Sequence, residues 1–172
     1  MTRVTPLVAA LLLTGSVVAH AQQPFEISVA AGPVFAQGLS YQEEPAGVEL
    51  SAGIGTRLSG SAFGLRVEGS YASLSHLLIG GSATPASIAS LTLNGVFTKS
   101  RSRSPLRPYL ITGAGACMVN AGARSHGHLG ISGGAGILFP SLDHMWSVEV
   151  RLHHTTGLAS ATWFPATLGL QF

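Results

Sequence analysis

The sequence predicts an all-β fold: an eight-stranded antiparallel up-and-down β-barrel that crosses a membrane with its apolar side chains turned outward. Three observations predict it. Charged residues make up 9% of the 172 residues and hydrophobic ones 46%, with a mean hydropathy of +0.40. A water-facing globular domain ordinarily carries about 25% charge. Second, Trp146-Ser147-Val148-Glu149-Val150-Arg151-Leu152-His153 alternates strictly, which is the period of a strand with two chemically opposite faces. Third, the same alternation runs through Leu168-Gly169-Leu170-Gln171-Phe172 to a terminal aromatic.

Residues 1–21 read as a cleaved secretory signal. Arg3 supplies the basic start, Leu7 to Val18 the apolar core, and Ala19-His20-Ala21 the A-x-A cleavage site. That core is too short for a spanning helix, which needs roughly 20 apolar residues. Arg3 is the one charged residue in the segment, so the expected mature chain, 22–172, is close to neutral. Its basic sequence pI of 9.1 is therefore no argument for nucleic acid. The single cysteine, Cys117, allows no internal disulfide and lies far from any lipidation position at the cleavage site.

Eight strands of about ten residues follow, each flanked by Gly, Pro, Ser or Asn. The first is placed at 25–36, where alanine and glycine blur both faces. In the second, 47–58, Val48, Leu50, Ala52, Ile54 and Leu58 oppose Glu49, Ser51 and Arg57. In the third, 63–73, Phe63, Leu65, Val67 and Tyr71 oppose Arg66, Glu68 and Ser70. The fourth, 86–99, sets Leu91, Leu93 and Phe97 against Ser90, Thr92, Asn94 and Thr98. The fifth, 107–118, and sixth, 127–139, carry Gly113-Ala114-Gly115 and Gly133-Gly134-Ala135-Gly136. Each interior glycine would cost a helix about 1 kcal/mol, whereas small residues suit a curved strand facing a crowded lumen. The seventh, 145–155, is the alternating run above. The eighth, 162–172, puts Phe164, Leu168, Leu170 and Phe172 opposite Thr167 and Gln171.

The breaks between strands, among them 74–85, 119–126 and 140–144, are expected to be loops, with the four outer ones roughly six to twelve residues long. If both chain ends lie on one side, one rim collects Phe25, Phe63, Phe97, Tyr109, Phe139, Trp146 and Phe172, all on the apolar face, as a membrane-interface girdle. The inward set then holds Glu26, Glu49, Arg57, Arg66, Glu68, Glu149, Arg151 and His153. Eight strands leave a bore just wide enough for side chains to fill. The expectation is a lumen plugged by ion pairs among Glu49, Arg57, Arg66, Glu68, Glu149 and Arg151, which disfavours a small pore.

The chain resembles the small outer-membrane β-barrel proteins of Gram-negative bacteria, the group with the OmpA transmembrane domain, OmpX and the opacity-type barrels. The resemblance spans about residues 22–172. It rests on Ala19-His20-Ala21, on Arg107-Pro108-Tyr109-Leu110-Ile111-Thr112-Gly113-Ala114-Gly115, on Val148 to His153, and on the ending Leu168 to Phe172. It implies an outer-membrane location, contact with lipid and lipopolysaccharide, and recognition of Leu168, Leu170 and Phe172 by the barrel-assembly machinery. The peptidoglycan-binding domain of some relatives is not expected after Phe172. A monomer without nucleic acid or cofactor is expected.

Two constellations are candidates for chemistry. Arg151-Leu152-His153-His154-Thr155-Thr156-Gly157 is similar to the strand of lipid A 3-O-deacylase barrels, where a His-x-Ser pair followed by Asn and Gly hydrolyses an acyl ester. That resemblance implies a histidine base acting on a hydroxyl nucleophile, either His153 with Thr155 or, facing lipid, His154 with Thr156. Threonine stands where the family has serine, and the Asn is missing. Second, His126, His128 and His153 would converge near the mouth and could hold zinc or copper, although no fourth ligand is evident. The basic run Lys99, Arg101, Arg103 and Arg107, interleaved with serine, reads as a solvated turn. It lacks the aromatics that a nucleic-acid surface would use. No phosphate-binding loop or dinucleotide fingerprint occurs.

Overall fold

A computed structural model describes residues 25–37, 46–58, 61–79, 82–98, 105–121, 124–141, 144–156 and 161–172. The expected signal segment, Glu43 and Glu44, and Lys99, Arg101 and Arg103 lie outside them. The strands are β1 (Phe25–Gln37), β2 (Ala46–Arg57), β3 (Phe63–Ile79), β4 (Ser82–Thr98), β5 (Arg107–Ala121), β6 (Arg124–Ser141), β7 (His144–Thr155) and β8 (Thr162–Gln171). Each pairs antiparallel with its neighbour in sequence, and β1 pairs with β8, closing the barrel. Closure leaves no edge of unpaired N–H and C=O groups, a condition that a β-structure in hydrocarbon must meet. Phe172 completes the seam: its N–H bonds Ile27 O at 2.9 Å, and Ile27 N–H returns to Phe172 O at 3.2 Å.

The alternation resolves as the sequence indicates, apolar outward and polar inward. Phe25, Ile27, Val29, Val48, Leu50, Ile54, Leu65, Leu91, Leu93, Val148, Val150 and Leu168 are all exposed on the outer wall. No Asp, Glu, Lys or Arg occupies an outward-facing strand position among the described residues. At the end that carries both chain termini, Phe25, Phe63, Phe97 and Phe172 are exposed on this wall, and Phe139 faces Trp146 across β6 and β7. Tyr109 departs from the expected girdle. It is buried inside the lumen, because Pro108, Leu110, Thr112 and Ala114 take the outward positions of β5.

The strands run further than their turn signals suggest. The expected 74–85 loop is a continuation of the β3–β4 hairpin, in which Ile79 pairs with Ser82 across Gly80-Gly81. A two-residue glycine connection is a strong signal for a tight hairpin. The register shifts between Leu74 and Leu77, opposite Pro85, which has no N–H to donate to the ladder. The expected 119–126 and 140–144 loops likewise shrink, since Ala121 pairs with Arg124 and Ser141 with His144.

Inside, the lumen is layered. Towards the distal end, Val34, Ala36, Ala72, Leu74, Ala86, Ile88, Cys117, Val119 and Trp163 pack as an apolar cluster. The middle is ionic. Towards the terminal end, Tyr109, Ile111 and Leu138 pack with Val96 and Met145. The expected ionic plug is thus one layer of three, and the apolar distal layer was not legible because its alanine, valine and isoleucine residues look like outward ones in a one-strand window.

Candidate functional site

The middle layer is built by β3 and β7, which are four strands apart and so face each other across the bore. Arg66 and Glu68 are inward on β3, and Glu149 and Arg151 are inward on β7. Arg151 reaches across to Glu68 with two bonds, Nη1 to Oε1 at 2.7 Å and Nη2 to Oε2 at 3.2 Å. Its Nε donates to Glu149 Oε1 at 2.8 Å, and its Nη2 contacts the same oxygen. Paired, fork-like contacts of this kind are the strong form of the arginine–carboxylate bond. Arg66 Nη1 lies 3.5 Å from both Glu68 Oε2 and Glu149 Oε2. From β5, the Tyr109 hydroxyl donates to Glu149 Oε2 at 2.7 Å, and the Arg66 guanidinium sits 5.9 Å from the centre of that ring.

Glycine makes this crowding possible. A Cβ on Gly136 would collide with the Tyr109 ring, and one on Gly134 would lie 2.9 Å from Arg151 Cγ. The signal for the buried tyrosine was therefore the glycine run of the neighbouring strand, read across the barrel and not along the chain. A neutral network extends the layer: Asn94 Nδ2 donates to Thr92 Oγ1 at 2.9 Å, and Ser132 Oγ donates to Asn94 Oδ1 at 3.4 Å.

Of the six residues expected to pair in the lumen, four meet here. Arg57 instead bonds Glu26 at 3.3 Å in a half-exposed pair at the terminal end, beside a polar vestibule that includes Ser28 and Gln171. Glu49 is 3% exposed, but its Oε2 has no hydrogen-bond partner among the described residues, and the same holds for His153 Nε2 and Trp163 Nε1. The ionic layer thus sets Glu49, Glu68 and Glu149 against Arg66 and Arg151, one carboxylate in excess. His153 stacks flat on Trp163, with ring centres 4.8 Å apart.

The three histidines do not converge. His153 is opposite Ser132, whereas His128 is opposite Cys117, four residues further along β6. His126 and His128 are neighbours, with ring centres 6.4 Å apart. No group of three metal-ligating side chains occurs among the described residues.

The hydroxyl pairing also differs from the expected one. His154 faces outward and its Nδ1 lies 2.9 Å from Thr162 Oγ1 on β8, not from Thr156. Thr156 donates its hydroxyl to Leu129 O at 3.1 Å. Thr155 turns inward and ties off the strand end, accepting from Ala161 N–H at 2.7 Å, so it does not serve His153. Leu168 and Phe172 are exposed on the outer wall. Arg107 is exposed at the start of β5.

No family model matches the chain, and no curated protein matches it. Solved structures do. Neisserial surface protein A (NspA) is similar over 86% of this chain and 95% of its own, at 13% identity and a TM-score of 0.71. A major outer membrane protein from Thermus thermophilus is similar over 89% of this chain and 100% of its own, at 13% identity and a TM-score of 0.59. The outer membrane enzyme PagL is similar over 86% and 98%, at 16% identity and a TM-score of 0.55. These identities establish the fold and nothing of the chemistry. An outer wall without permanent charge among the described residues, on the fold shared by these proteins, makes the chain an eight-stranded antiparallel β-barrel of the transmembrane type.

Proposed function

We propose that this protein is a structural or interaction barrel, non-enzymatic and non-conducting, that meets its surroundings through its distal rim. The observation that carries this reading is the stacked filling of the bore. An apolar layer around Trp163, which is 2% exposed, overlies an ion-paired layer that crosses from wall to wall. An ion entering from the distal side would have to shed its water in the apolar layer, a cost of several kcal/mol. Its partners in the membrane are lipid and lipopolysaccharide. Leu168, Leu170 and Phe172 present the assembly signal, and a monomer is sufficient because the barrel closes on itself. Purified barrel in planar bilayers is expected to give no discrete current steps. Reproducible unitary conductance from the parent protein would overturn the reading.

A second reading, a lipid-directed ester hydrolase, is favoured by one contact. An imidazole within hydrogen-bond reach of a hydroxyl is the minimum for an activated nucleophile, and His154 and Thr162 form such a pair on the lipid side. The fold also carries enzymes, as PagL illustrates. Against it, no carboxylate lies on the outward face of the described strands to orient the imidazole. Incubation with lipopolysaccharide separates the two readings. Release of fatty acid by the parent and not by His154→Ala would establish the hydrolase; no release by either protein is the expected result.

A further inference from the structure

The lumen-facing side of β6 ends at the distal mouth with two imidazoles, His126 and His128. Residues two apart on a strand share a face, and these rings stand 6.4 Å apart, inclined at 47°. His126 is exposed and His128 half-buried, so both are open to solvent. Their cross-strand neighbours on β5, Val119 and Cys117, offer neither ring a strong hydrogen bond. The Cys117 thiol is directed at the His128 carbonyl, 3.5 Å away, and not at its ring. No hydrogen bond joins either ring to another side chain among the described residues.

Two imidazoles on a short, extended backbone, facing water and with no side-chain hydrogen-bond partner among the described residues, form a chelating pair. We propose that His126 and His128 bind a divalent transition metal at the distal mouth, copper(II) most tightly and zinc(II) less so. Imidazole suits both ions, and the ordering follows the general stability series of first-row divalent metals. With two protein ligands, solvent fills the remaining positions, which makes the ion exchangeable with the medium. Calcium and magnesium, which demand oxygen ligands, are excluded by the same chemistry. The site adds a ligand to the rim and does not depend on whether the barrel is catalytic.

The test is titration of the purified, folded, full-length protein with copper(II), followed by electron paramagnetic resonance. The parent is expected to bind one equivalent, with hyperfine structure from two nitrogens. His126→Ala and His128→Ala are each expected to weaken binding by about 10–100-fold, the scale seen when a metal site loses a supporting group. His144→Ala, at the opposite end of the barrel, should leave it unchanged. Copper affinity equal to the parent's in either distal variant would overturn the proposal, as would a single-nitrogen signal in the parent. Variants are first checked for the faster mobility of unboiled protein in gels. Should His128→Ala not fold, zinc-induced shifts of the His126 and His128 ring signals in the parent answer the question without it.

Discussion

Arg151→Met is expected to lower the unfolding free energy of the barrel by about 3–5 kcal/mol, the cost of leaving a buried charge without its partner. The guanidinium is 4% exposed and bonds Glu68 and Glu149 at once, so its loss leaves two carboxylates facing each other across the bore. Arg66 remains, but at 3.5 Å from each it replaces neither of the two short contacts. The measurement is a urea titration in lipid vesicles, read as the fraction of protein with the faster gel mobility of the unboiled form. Glu49→Gln is the matched comparison. Glu49 makes no ion pair among the described residues, so replacing its carboxyl breaks no short contact and should leave stability equal or higher. If Arg151→Met unfolds at the parent's midpoint, the network contributes nothing and the filled bore is packing alone.

The contrast between these two carboxylates also marks what the sequence could and could not convey. Alternation assigned Glu49, Glu68 and Glu149 correctly to the inside, because side-chain parity along a strand is a local property. Which acid meets which base is decided by strand order and stagger, and β3 meets β7 only after closure. Tyr109 was misassigned because large apolar residues fall on both faces of its strand, Leu110 and Met118 outward and Ile111 and Val119 inward, leaving parity undetermined until Glu149 and the glycine-lined wall of β6 claim it. The His154 hydroxyl partner failed for a related reason. Thr156 is nearer in sequence, but antiparallel register places Thr162 directly beside the ring. Hairpin ends were lost where turn-forming residues continue in the ladder, as Pro140 does opposite Met145. The aromatic rim was legible where Phe63, Phe97 and Trp146 fall in strongly alternating strands.

Val150→Arg tests the outer wall by the same measurement. Val150 is 56% exposed midway along β7, flanked by Ala135 and Ala166, and has only apolar or small outward neighbours. On the surface of a water-soluble barrel, an arginine there would be harmless, since exposed substitutions usually fall within about 0.5 kcal/mol. In hydrocarbon it should cost about 2–4 kcal/mol at mid-depth, falling to about 0–1 kcal/mol near an interface. Leu129→Arg, on the same wall near the distal end of β6, supplies the shallow comparison. The expected result is a graded penalty in vesicle-based unfolding, large for Val150→Arg and small for Leu129→Arg. The reason is geometric. A guanidinium at Leu129 can extend along the wall to the headgroups, whereas one at Val150 must drag water or lipid phosphate several ångströms into the apolar layer. Equal, negligible costs at both positions would mean that no hydrocarbon surrounds the wall.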